Sequence, residues 1–485
     1  MLINKLLEGL NYELIQGDLS REIDQIIYDS RIKTKNGLFV AITGFKTDGH
    51  QFINTAIENG AKVIIAEKDV AIDNPCITVV KVSDSRYALA CISANRYNHP
   101  SAKLNLVGVT GTNGKTSITY LLGQILEEYN QKIGIIGTIE NRIGKEVIIA
   151  ERTTPESLEL QSLFSKMVEN DVTYALMEVS SHALNLSRVE KCAFDLGIFT
   201  NLTQDHLDFH STMDEYALAK SKLFQLCKTG IINIDSEYAS IMMKDATCTI
   251  QTYGIDNHDA DYYATDINIT AKGTSYVLNC EQGAFNVYVP IPGKFTVYNT
   301  LAVIAGAAFF NIPMDHIITS LEHIKGVPGR VQSFTSTKEY SVLIDYAHTP
   351  DGLKNVLETI TEFVDNKIIT VFGCGGDRDR KKRPIMGEIA ARYSDYVIIT
   401  SDNPRSEDPI EIINEVEVGI QKHTKPYDKE VDRKEAIIAA LKKASKGDVV
   451  LIAGKGHENY QILKDKTIHF DDSEIVQQII QEEQK

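Results

Sequence analysis

Cysteine is scarce and scattered. The seven cysteines, Cys76, Cys91, Cys192, Cys227, Cys248, Cys280 and Cys374, form no C-x-x-C pair and are odd in number. A disulfide framework is therefore not expected, and the thiols read as small buried hydrophobes in a reducing compartment. Long apolar runs are missing too: nothing approaches the roughly 18 consecutive apolar residues of a membrane span. The N-terminal MLINKLLEGLNYELIQG breaks into polar residues too early for a signal peptide. Positive charge is in deficit, with 50 Lys and Arg against 66 Asp and Glu and a net charge of −16, which argues against a nucleic-acid surface. No repeat, heptad run or low-complexity tract occurs. A cytoplasmic protein without membrane insertion or nucleic-acid partner is expected.

What is present is an ordinary globular composition, 43% hydrophobic and 24% charged, in a chain of 485 residues, too long for a single core. Residues 1–100 carry the strand-like runs GLFVAI and AKVIIAE around a helical FINTAIENG, predicting a compact α/β unit. NRYNHPSAK reads as a linker, its Pro and Asn disfavouring helix. From Leu104 strands and amphipathic helices alternate, as in a mostly parallel sheet covered by helices. A second boundary falls near HIKGVPGRVQSF. Beyond it, SVLIDYA, KIITVFGC and YVIITSDNP each open a β-then-α unit, and DVVLIAG adds a strand. Three α/β domains are expected, at residues 1–100, 101–330 and 331–485.

The most informative stretch is GVTGTNGKTS, Gly108 to Ser117. It resembles a phosphate-binding loop but has Val109 where G-x-x-x-x-G-K-[ST] demands Gly. Its context decides the matter. The apolar run LNLVGVT precedes it, and Ile118, Leu121, Leu122, Ile125 and Leu126 recur at helical spacing after it. Strand, Gly-rich turn and helix put backbone N–H groups and a positive helix end against an anion. Lys115 is then placed to neutralise a phosphate, and the Thr116 hydroxyl to ligate Mg²⁺. A purely structural turn would explain the glycines but not G-K-T in the first helical turn.

The short form G-T-N-G-K-T resembles the ATP-binding loop of the Mur ligase family, and separate stretches of the chain agree with it. Within the loop the resemblance implies that Thr110, Gly111, Thr112, Asn113, Gly114, Lys115, Thr116 and Ser117 bind ATP. Glu178 in ALMEVSSHAL ends an apolar strand, where a carboxylate can hold Mg²⁺. By resemblance His206 in FTNLTQDHLDFH is a second metal ligand. Lys220 in YALAKSKLF reads by itself as a solvated helical lysine. The resemblance instead makes it an N6-carboxylysine, a CO₂ carbamate that helps hold Mg²⁺. Asn299, Arg330, Asp345 and His348 are implied at the nucleotide. The implied architecture is a smaller N-terminal α/β domain, a central P-loop-type ATPase and a C-terminal Rossmann-like domain.

The match runs through nearly the whole chain. YDSRIKTKNGLFVAITGFKTDGHQF, with Ser30, resembles the domain that grips a UDP moiety, which a folylpolyglutamate synthase would lack. Thr153, Thr154, Ser180 and Arg188 match positions that hold an acyl-dipeptide substrate. The implied reaction is ATP-dependent addition of meso-diaminopimelate to UDP-N-acetylmuramoyl-L-alanyl-D-glutamate by a monomer. Diaminopimelate would be read by Arg378, Asp402, Asn403, Pro404, Arg405, Gly454 and Glu458. L-Lysine, which lacks the distal carboxylate, is the alternative amino acid, and an Arg fork at Arg405 favours diaminopimelate. By itself Arg405 would read as a loop cap or a partner of Glu407. Two positions depart from the pattern: Leu186 replaces a Gln common in relatives, and Gln332 a Glu. A kinase, a dinucleotide-dependent reductase built on VFGCGGDRDR and a non-catalytic binder each fit fewer of these residues.

Overall fold

The computed structural model describes residues 1–45, 47–203, 209–324 and 326–483. They form two compact units, Met1–Thr119 with Leu126–Tyr253, and Tyr120–Ile125 with Gly254–Lys485.

The first unit holds two sheets. The N-terminal one runs Tyr12–Gln16, Thr78–Val82, Ala61–Ala66, Gly37–Val40, Gln25–Ile27, parallel except for its first strand. GLFV and AKVIIA are buried almost throughout, as strands covered on both faces must be. The helix Ser85–Arg96 ends where Asn98 and His99 turn left-handed before Pro100.

The larger sheet of this unit runs Thr249–Gly254, Cys227–Asn233, Phe194–Phe199, Asn105–Thr110, Tyr174–Glu178, Ile133–Ile136, all parallel, then Glu140–Ile143 and Glu146–Ile149, antiparallel. Because the six main strands are parallel, the segments after Thr110, Ile136, Glu178 and Phe199 leave from one edge. The expected helix spans Lys115–Glu128 and buries Ile118, Leu121, Leu122, Ile125 and Leu126.

In the second unit a meander, Tyr262–Thr270, Gly273–Cys280, Gly283–Val289, is wholly antiparallel. Its alternating pattern had no counterpart in the sequence reading. The C-terminal sheet runs Gln332–Thr335, Ser341–Asp345, Val449–Ala453, Ile368–Phe372, Tyr396–Thr400, Tyr427–Glu430, parallel after the first strand. The four central strands are the expected ones. Tyr427–Glu430, polar and at the sheet edge, carries no apolar run and was not anticipated. Val449–Ala453 returns to lie between the first two β–α units, so the doubly wound topology opens a crevice at the carboxyl ends.

Candidate active site

The loop Gly111–Gly114 is braced from the neighbouring strand end. Thr200 Oγ1 donates to Asn113 O at 2.6 Å, and Asn201 Oδ1 accepts from Asn113 N at 3.0 Å. A Cβ on Gly111, whose φ is +148°, would lie 1.8 Å from Thr200 Oγ1. Lys115 folds back, Nζ donating to Gly111 O at 2.9 Å and Thr112 O at 2.8 Å. Ser117 follows in the helix. Lys220 contradicts its solvated reading: it is 1% exposed, donates to Gly111 O at 2.8 Å and lies over the Tyr216 ring. The helix Met213–Ser221 carries it inward, against the phosphate loop.

Glu178 is 1% exposed and accepts from Thr116 Oγ1 at 3.0 Å and from Thr138 N at 2.8 Å, while Thr138 Oγ1 donates to its second oxygen at 3.1 Å. Thr138 reaches Thr153 Oγ1 at 3.0 Å. Thr154 donates to Glu178 O at 2.8 Å and accepts from Ser180 N at 3.1 Å. Ser180 in turn caps the short helix Ser181–Asn185. Arg188 donates to Thr154 O and to Glu156, a buried carboxylate that Arg86 also approaches. Thus Thr116, Glu178, Thr153, Thr154, Ser180 and Arg188 form one connected set. Ser30, 9% exposed, holds Asn59 Nδ2 through its carbonyl. His206 lies outside the described residues. Thr138, Thr200 and Asn201 were missed: each belongs to a strand end adjacent in space and remote in sequence.

In the second unit, Asn299 is buried on the helix Lys294–Phe309. Asp345 accepts from Val331 N at 2.9 Å, and its burial pushes its carboxyl up. Arg330 stacks over Tyr346, whose hydroxyl burial pushes up to about 12. His348 Nδ1 donates to Tyr346 O, 2.8 Å away, and burial holds its imidazole toward the neutral form. The same parallel edge gathers the other segments. Gly454 N donates to Asp345 O, and Asn403 Nδ2 to Glu458 Oε2 at 2.8 Å. Lys455, wholly buried and unnoticed in the sequence, donates to Asn403 Oδ1 and to Glu458 Oε2 at 3.2 Å. Asp402 and Pro404 are buried, and Gln461 donates to Asp402 O at 2.7 Å. Arg405, at φ +52°, donates to Gly376 O at 2.9 Å, while Arg378 is exposed and reaches only Asp377 O. Arg405 meets no carboxylate of Glu407 in these contacts, and Glu407 pairs with Arg383 instead.

A glycine-rich loop with a lysine in the following helical turn at one strand edge, and a charged cluster at another, are features that α/β nucleotide-binding enzymes share. Family models place the chain further. The Mur ligase family catalytic domain matches residues 22–97, the Mur ligase middle domain 109–307 and the glutamate ligase domain 329–456. A UDP-N-acetylmuramoyl-L-alanyl-D-glutamate--2,6-diaminopimelate ligase of Caldanaerobacter subterraneus subsp. tengcongensis is 48% identical, covering all of both chains. One from Clostridium acetobutylicum is 50% identical over 99% of this chain and 100% of its own. A solved structure of a UDP-N-acetylmuramoyl-L-alanyl-D-glutamate--2,6-diaminopimelate ligase is 33% identical with a TM-score of 0.74, covering 100% of this chain and 99% of its own. The chain belongs to the Mur ligase family, and it is an ATP-dependent, ADP-forming ligase of the three-domain α/β architecture. Among the described residues no helix is long and apolar enough to cross a membrane.

Proposed function

We propose that this ligase joins meso-diaminopimelate to UDP-N-acetylmuramoyl-L-alanyl-D-glutamate, spending ATP on one amide bond in peptidoglycan precursor synthesis, as a cytoplasmic monomer. The domains are taken as residues 1–100 for the UDP moiety, 101–330 for ATP and 331–485 for the amino acid. The observation that carries the reading is the connected Thr116–Glu178–Thr138–Thr153 set beside a loop that holds both Lys115 and Lys220. It joins the residues expected at phosphate to those expected at the acyl-dipeptide substrate.

Lys115 gives up its contacts to Gly111 O and Thr112 O for the terminal phosphate of ATP and neutralises charge there. The muramoyl dipeptide carboxylate, steered by Thr153, Thr154, Ser180 and Arg188, attacks the γ-phosphorus and ADP leaves. The acyl phosphate so formed is attacked by the amino group of the amino acid, and phosphate departs from the tetrahedral intermediate. Thr116, Glu178 and His206 supply hard oxygen and imidazole donors for Mg²⁺, which when bound neutralises phosphate charge. Lys220 joins that set only as its carbamate. As an ammonium it is a donor to Gly111 O and would repel the cation. Asn299, Arg330, Asp345 and His348 serve the nucleotide. Arg405 and Arg378 hold the distal carboxylate of diaminopimelate, and Asp402, Asn403 and Glu458 its ammonium. The test is phosphate release from ATP that requires both the UDP-muramoyl dipeptide and an amino acid, run over an amino-acid panel. Strong preference for meso-diaminopimelate is expected, and equal or better turnover of L-lysine would overturn the substrate choice.

A further inference from the structure

Arg383 has no place in that scheme, yet it is wholly buried. It sits in the first turn of the helix Lys382–Tyr393. Its Nη1 donates to Glu407 Oε2 at 2.9 Å and Glu415 Oε2 at 2.8 Å. Its Nη2 donates to Glu407 Oε1 at 2.8 Å and Gly375 O at 3.2 Å. A buried guanidinium costs several kcal/mol in lost hydration and is tolerated only when its geometry is well satisfied. What this network holds is two loops. One follows the strand Ile368–Phe372 and carries Arg378; the other follows Tyr396–Thr400 and carries Arg405.

The loops are cross-linked at every step between them. Glu407 accepts from Asp377 N at 2.6 Å, and Ser406 donates through N and Oγ to the Asp377 carboxylate. Gly376 N donates to Asn403 O, and Arg405 Nη1 to Gly376 O, both at 2.9 Å. A Cβ on Gly376 would lie 1.9 Å from Pro404 O, so only glycine permits this approach. Asp377 on one loop and Arg405 on the other both take left-handed backbone, with φ of +53° and +52°. A left-handed arginine is disfavoured and persists only where its surroundings over-determine it. The hydrogen bonds from Arg383, Glu407 and Ser406 are those surroundings.

We infer that Arg383 and Glu407 are positioning residues for amino-acid selection. They lock the two arginine-bearing loops into one body and set the Arg405 guanidinium without touching the amino acid. The inference rests on the reading of Arg405 as the group that holds the distal carboxylate.

The test is a double-mutant comparison in the phosphate-release assay, with meso-diaminopimelate and L-lysine as substrates. The variants are Glu407→Gln, Arg405→Ala and both together, with Ser406→Ala as a milder cut and thermal unfolding to check the fold. Glu407 is partly exposed, so its amide is tolerated even if Arg383→Met fails to fold. Losing a charge-assisted contact should raise KM for diaminopimelate about tenfold in Glu407→Gln and lower discrimination against lysine. The KM for ATP and kcat at saturation should stay within about twofold, since neither depends on the loop pair. In the Arg405→Ala background Glu407→Gln should change discrimination no further, because both act through one guanidinium. Equal loss of turnover with both amino acids, or effects that add in full, would overturn the positioning role. A clear effect of Arg405→Ala beside a silent Glu407→Gln would overturn it while sparing the reading of Arg405. Discrimination unaltered by Arg405→Ala would overturn both.

Discussion

The two strand ends surround their positive charge differently. At the central sheet, Lys115 and Lys220 donate to backbone carbonyls of the very loop they serve. At the C-terminal sheet the buried cations are matched to carboxylates: Arg383 to Glu407 and Glu415, Arg433 to Asp472, Lys455 to Glu458. A carbonyl is a neutral partner that a lysine gives up readily for a phosphate. A buried ion pair is not, since parting it strands a charge without water. On the proposed function, the carbonyl contacts of Lys115 are the ones a phosphate of ATP replaces. At the second strand end, the ion pairs hold backbone in place at the edge where the proposed function puts the amino acid.

The sharpest break of that comparison is Lys115→Ala. Ligation should fall roughly 10³-fold, the loss expected for one preorganised group at developing charge, with thermal unfolding unchanged. Near-normal turnover in a folded variant would remove Lys115 from the chemistry. Lys220→Ala should lose most activity too, with a short added carboxylate restoring part of it if the carbamate holds Mg²⁺. Native mass spectrometry should find the CO₂ adduct on the unmutated chain, and an active Lys220→Ala enzyme would return the residue to a loop-bracing role.

The second cleft should respond through stability. Arg433 and Asp472 are both wholly buried, and Arg433 also donates to Ala453 O at the strand end. Arg433→Met leaves Asp472 unpaired and should cost about 3–5 kcal/mol in denaturant unfolding. Replacing both residues by apolar ones should recover most of it. Arg405→Ala should cost roughly 2–5 kcal/mol of diaminopimelate recognition, read as kcat/KM, and little stability. Smallest is a pH effect. Burial and the nearby Arg330 bring His457 down to about 4, below the ~6.5 of an unfolded chain. The unfolded state then takes the proton first, so stability is lost as pH falls through that window and is regained above it. His457→Gln should flatten this part of the curve, and an unchanged slope would show that other groups carry it.

Much of this was legible in one dimension. The strand–turn–helix around Lys115, the apolar strand ending in Glu178 and the four central strands of the C-terminal sheet announce themselves by period and by glycine. Lys220 did not, because a lysine on the polar-looking helix Met213–Ser221 gives no sign that the helix turns it inward to Gly111 O. Of the two unaided readings of Arg405, the loop cap agrees with its donation to Gly376 O, whereas Glu407, two residues away, belongs to Arg383.

Local order thus determined which residues stand on each strand end, since a backbone's periodicity, its glycines and its helix starts depend on neighbours in the chain. Tertiary structure decided which strand ends meet. Thr138, Thr200, Asn201, Arg383 and Lys455 each act on a group dozens of residues or a full crossover away, through parallel strands whose order no local pattern encodes. Hydrogen bonds and ion pairs act over a few ångströms of space, so their partners exist only once the sheet has brought those ends together.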